Sequence, residues 1–80
     1  MRYSIVNIAD GRVVYKSKKY DRYYVRTGWD GYKYDDGNLI LFETENYNNA
    51  KMVLEATKKH WGGINCESWS IVNHLGEVIE

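Results

Sequence analysis

No proline interrupts this chain, and it has neither a low-complexity tract nor a linker to divide its 80 residues into parts. A chain this short buries only somewhat more than about 60 % of its unfolded surface, enough for one core, so residues 1–80 are expected to form a single domain. Cysteine occurs once, at Cys66. That excludes an intrachain disulfide and a thiolate metal cage and fits a reducing compartment, with the cytoplasm as the expected location. No apolar run approaches the roughly 20 residues of a membrane span. The opening MRYSIVNIAD lacks the apolar core and small-residue cleavage site of a signal peptide, so a soluble chain that stays where it is made is expected. No Gly-Lys-Ser/Thr loop is present, and no helix follows the glycines of residues 28–31, so phosphate-loop chemistry is excluded.

Net charge is also missing, 11 basic residues balancing 11 acidic ones. The balance conceals a split. Residues 12–33 carry seven bases and two acids, while residues 34–80 carry eight acids and three lysines. Such asymmetry suggests an oriented partner more than a generally adhesive surface.

What the chain does have is one strongly periodic segment, residues 47–61. Ala50, Val53, Leu54, Thr57 and Trp61 recur at helical spacing and form one apolar stripe, while Lys51, Glu55, Lys58 and Lys59 face away. Asn46 or Asn48 is placed to cap the helix start, and Gly62-Gly63 to supply the left-handed residue at its end. Lys58, Lys59 and His60 suit the negative end of the helix dipole. One stripe needs one sheet to cover it. Residues 3–8 and 12–16, around Asp10-Gly11, read as a hairpin. Residues 18–26 read as a third strand, with Tyr23 and Val25 on one face and Tyr20, Arg22, Tyr24 and Arg26 on the other. Residues 38–43, with a hairpin at Asp36-Gly37, read as a central strand buried on both sides, and 66–73 and 77–79 as closing strands. The expected fold is α+β, an antiparallel sheet of about five strands with one helix packed on one face. The other face is left with a large share of eight tyrosines and three tryptophans.

An echo links the ends of the chain. Tyr3-Ser-Ile-Val-Asn7 followed by Gly11-Arg-Val13 is answered by Trp69-Ser-Ile-Val-Asn73 followed by Gly76-Glu-Val78. The two SIVN strands are expected to be neighbours near the sheet centre. Duplication and shared strand chemistry both explain the match.

The alternating stripe is the candidate site: Lys18, Lys19, Tyr20, Arg22, Tyr24 and Arg26, with Trp29 in the turn beyond. Aromatic faces mixed with cations suit a protein hot spot, and they equally suit base stacking with phosphate pairing. Zero net charge weighs against nucleic acid, and a solvated strand with arginines lying over tyrosine rings is the plain structural alternative. Cys66, His60 and His74 invite a metal or a thiolate nucleophile, but their spacing requires neither. Asp35-Asp36 precedes a glycine at a turn, and Glu43 and Glu45 precede a helix N-terminus, places that favour acids for structural reasons. No catalytic motif, metal set or cofactor site is found.

In format the chain resembles the small bacteriophage-encoded proteins that disable host machinery, the anti-CRISPR proteins among them. The likeness rests on an 80-residue charge-balanced domain rich in Tyr, Asn and Lys, with a hairpin start at residues 3–14, one helix at 47–61 and a closing strand at 69–73. It implies stoichiometric binding that blocks a host nucleic-acid enzyme, with no chemistry by the small protein. The leading expectation is therefore a non-enzymatic inhibitor docking on a host protein or protein-nucleic-acid complex. Direct binding of single-stranded DNA or RNA by the same strand, and a homodimer through the uncovered sheet face, are the alternatives.

Overall fold

The β-branched centres of the two SIVN segments form strands β1 (Tyr3–Asn7) and β5 (Trp69–Asn73), which pair antiparallel with Ile5 opposite Ile71. The computed structural model describes residues 1–27 and 38–80. Within it, β2 (Arg12–Ser17), β3 (Tyr23–Thr27) and β4 (Leu39–Leu41) complete a five-stranded antiparallel sheet in the order β3-β2-β1-β5, with β4 pairing β2. Helix α1 (Tyr47–His60) lies across one face, giving an α+β fold. Tyr15 pairs with Tyr24 and with Leu41, and Val13 with Arg26 and with Val6. β3 therefore takes one edge of β2, while β1 and β4 lie end to end along the other.

The helix stripe does what its spacing requires. Ala50, Val53, Leu54 and Thr57 are buried, and half-buried Trp61 packs on the same cluster as Ile5, Val14, Phe42, Trp69 and Ile71. Asn46 is the cap, its Oδ1 accepting the Asn49 N–H at 3.1 Å. Gly63 adopts the left-handed φ of +112° after the helix end.

Several expectations are corrected, among them the central place of the SIVN pair, since β5 forms the sheet edge beside β1. The third strand begins at Tyr23 and not at Lys18, because Ser17 Oγ accepts the N–H groups of Lys19 and Tyr20 at 3.0 and 2.9 Å and winds residues 18–22 into a turn. β4 is three residues long and not a buried central strand, since β1 occupies the rest of that edge of β2; Leu39 is buried and Ile40 exposed. The stretch before β5 is a 3-10 turn at Cys66–Ser68, entered through left-handed Asn65, and at the end of the chain the expected strand is a single bridge between Val72 and Val78. The face away from the helix is also not open: Val13, Tyr15 and Leu39 form a second, fully buried cluster there, with Val6, Tyr24 and Leu41 against it. The Asp36-Gly37 hairpin lies outside the described residues.

Candidate functional site

Where the β2–β3 turn meets the helix, an open groove of about 720 Å³ runs between Arg22, Tyr23 and Tyr24 on one side and helix α1 with Trp61 on the other. This lies within the roughly 300–1,000 Å³ of ligand sites. Its floor is Val53 and Thr57, both buried. The Thr57 hydroxyl is already spent inside the helix, donating to the Val53 carbonyl at 2.7 Å, so the floor is effectively apolar. Asn49, Met52, Ala56 and His60 form the helix wall, and Met52 is 71 % exposed.

Tyr23 projects on the helix side because it shares a face with its partner Lys16 and with Val25, which packs on the helix-side core. Its ring stands edge-on to buried Phe42, centroids 5.5 Å apart, and is 42 % exposed. Lys16 Nζ lies 6.0 Å from the same ring, within cation–π reach. At the far end the His60 ring meets Trp61 edge-on at 5.0 Å. Rings braced from behind in this way have little side-chain freedom left to lose.

The alternating stripe is not one surface. Lys18, Lys19 and Tyr20 sit exposed in the turn, with Lys19 Nζ 5.6 Å from the Tyr20 ring. Arg22 is exposed and reaches the groove. Tyr24 lines the groove but is half-buried against Val13, Tyr15 and Leu39, which corrects its expected solvent orientation. Arg26 lies over Tyr24 at 5.6 Å on that second face and donates from Nη1 to the Val25 carbonyl. Trp29 lies outside the described residues, as do Asp35 and Asp36. The structure thus gathers Arg22 and Tyr24 at the groove, leaves Lys18, Lys19 and Tyr20 in the turn, and carries Arg26 to the other face.

Sequence reasoning missed Tyr23 and the wall Asn49, Met52, Ala56 and His60. A signal for the wall was present: Asn49, Met52, Ala56 and His60 recur at helical spacing beside the buried stripe, so apolar Met52 and Ala56 widen that stripe beyond what the sheet covers.

The chemically suggestive residues are engaged elsewhere. Cys66 Sγ donates to the Lys58 carbonyl at 3.3 Å, and His74 Nδ1 accepts the Arg2 N–H at 3.4 Å. Glu43 forms an exposed ion pair with Arg2 at 3.6 Å. No group of three or more His, Cys, Asp and Glu side chains able to hold a metal occurs among the described residues. No helix among them is long and apolar enough to cross a membrane. Compared with protein-family models, curated proteins and solved structures, the chain matches none.

Proposed function

We propose that this chain is a small non-enzymatic binding protein that docks on a host protein, one belonging to a nucleic-acid-processing complex, and inhibits it by occupancy in the host cytoplasm. One observation carries the docking reading: an apolar groove, flanked by exposed Tyr23, half-buried Trp61 and the cation Arg22, with Lys16 beside the Tyr23 ring, has no acidic side chain among its described lining residues. Aromatic and arginine side chains around a pocket that excludes water are what concentrate binding energy at protein interfaces. The inhibitory, phage-type part of the reading rests on the resemblance in format alone.

Direct single-stranded nucleic-acid binding is the second reading, favoured by the Lys16 ammonium beside the exposed Tyr23 ring, which pairs a stacking face with a phosphate-binding charge. Zero net charge counts against it. A homodimer through the sheet face away from the helix loses support, because Val13, Tyr15 and Leu39 are already buried there.

The test is capture of a partner from host lysate by tagged protein, its identification, and reconstitution from purified components. Ala56→Trp fills the groove from an exposed helix position, and Arg22→Ala removes its cation. Equimolar complex formation by the wild type that both variants weaken, with unchanged melting temperatures, is the expected result. A partner retained by both variants, or binding only to labelled single-stranded DNA with steep salt dependence, overturns the reading.

A further inference from the structure

Strand β5 ends the sheet beside β1, and along its outer edge, among the described residues, lies a short strap, residues 77–80. One bridge, Val72 with Val78, pairs the two. The backbone bonds are the Asn73 N–H to the Glu77 carbonyl at 3.0 Å, and the Ile79 and Glu80 N–H groups to the Ile71 carbonyl at 2.7 and 3.4 Å. Asn73 fixes the start of the strap, accepting the Leu75 and Glu77 N–H groups on Oδ1 and donating from Nδ2 to Glu77 Oε1 at 3.1 Å. Glu80 fixes its end. Its Oε1 lies 3.6 Å from Lys51 Nζ on helix α1, and its carboxylate accepts the Tyr47 hydroxyl hydrogen bond that raises that phenol above the ordinary pKa of 10.0. Val78 and Ile79 remain exposed, as does the Lys51–Glu80 pair, so little apolar burial holds the strap down. Segments held by a few exposed polar contacts open locally, at far less cost than global unfolding.

We infer that the strap is a removable guard on β5, and that the edge beneath it takes β5 of a second copy of this chain in an antiparallel, two-fold pairing that leaves the groove untouched. The occupant follows from the sheet itself. The SIVN segment of β5 already pairs antiparallel with the identical segment of β1, with Ile5 opposite Ile71, Ser4 opposite Val72 and Val6 opposite Ser70. Two β5 strands related by an axis at Ile71 repeat these matches on the strand's other edge, isoleucine against isoleucine and serine against valine. The N–H and C=O of one strand residue point to the same side. The Ile71 carbonyl that the strap occupies would therefore accept the second copy's Ile71 N–H, and the reverse.

Such a pair closes on itself, because the same edge serves both copies and none is left at β5 to propagate a fibre. A five-residue pairing is small, so the dimer is weak and forms at high protein concentration.

The test uses the full chain. In wild-type protein the Asn73 amide, bonded to the strap, is expected to exchange hydrogen at least ~10-fold faster than that of Val72, which pairs with Ser4 of β1. Equal protection would mean that the strap does not open separately and overturns the inference. Ile79→Pro with Glu80→Lys removes the 2.7 Å bond and sets a cation against Lys51. Light scattering over a concentration series should give a monomeric wild type and a variant dimer that grows with concentration. In mixed labelled and unlabelled variant, isotope-filtered NMR should place the Ser70 Hα of one copy against the Val72 Hα of the other. A variant that stays monomeric, a dimer without that contact, open-ended aggregates or an already dimeric wild type each overturn the inference. Should the double variant fail to fold, Glu80→Lys alone is read by the same measurements.

Discussion

Ile5 of β1 and Ile71 of β5 face each other directly across an antiparallel pair, both fully buried, and the two SIVN segments run in opposite directions about that pairing. Tyr3 meets Asn73 and Asn7 meets Trp69, so a local two-fold relation passes between the isoleucines. The likeness extends into the turns. Asn7 Oδ1 accepts the N–H groups of Ala9 and Asp10, and Asn73 Oδ1 those of Leu75 and Glu77. Gly11 and Gly76, at φ +80° and +83°, return their N–H groups to the Asn7 and Asn73 carbonyls. The one-residue gap in the echo is absorbed by the turns.

Because the two isoleucines share one contact, Ile5→Val and Ile71→Val should each cost about 0.5–1.5 kcal/mol. The double change should deviate from their sum by about 0.5 kcal/mol or more. A urea double-mutant cycle measures this; strict additivity would deny the pairing.

Asn46 carries the helix cap and Asn48 does not. Asn46→Ala should lower stability by about 1 kcal/mol, and Asn48→Ala by no more than about 0.5 kcal/mol. Thermal unfolding of the two variants separates the positions that sequence reading left equivalent.

Asp10 predicts an acid dependence. Partial desolvation raises its carboxyl, but hydrogen bonds from the Arg12 N–H, the Asn65 amide and the Arg12 guanidinium, with the Arg12 charge, outweigh it and hold the pKa below the ordinary 3.8. A depressed carboxyl stabilises the fold fully above its unfolded pKa, and the contribution disappears as pH falls through the folded value. The difference in urea midpoint between wild type and Asp10→Asn should therefore be constant above this range and change as pH drops below 3.8. A difference independent of pH would remove Asp10 from this role.

Arg22 and Tyr24, neighbours on one sequence stripe, should behave oppositely. Arg22→Ala should alter stability by less than about 0.5 kcal/mol, and Tyr24→Ala should cost about 1–3 kcal/mol because it strips packing from the Val13–Tyr15–Leu39 cluster. Urea midpoints check this, and they explain why the groove is probed through Arg22 and Ala56 and not through Tyr24.

The helix was legible almost residue by residue, since 3.6-residue periodicity and cap chemistry are local properties: Ala50, Val53, Leu54 and Thr57 are buried and Asn46 caps. The SIVN strands were legible as neighbours from their shared residues, but not their place in the sheet, since β5 forms its edge. The start of β3 was not legible either. Alternation in residues 18–26 imitates a strand, while the Ser17 hydroxyl, by bonding the two amides that follow, makes a turn of its first half.

By itself the sequence determined the fold class, the buried helix stripe, the paired SIVN strands and the absence of a net charge, because each follows from spacing or composition along the chain. Only the tertiary structure decided which aromatic and basic residues share a surface. Tyr23 lies far in sequence from Met52 and Trp61 and meets them because β3 lies at the sheet edge beside the helix, while strand pleating carries Arg26 to the opposite face and leaves half-buried Tyr24 between that face and the groove. The groove is a property of how elements cross, and no local periodicity encodes that.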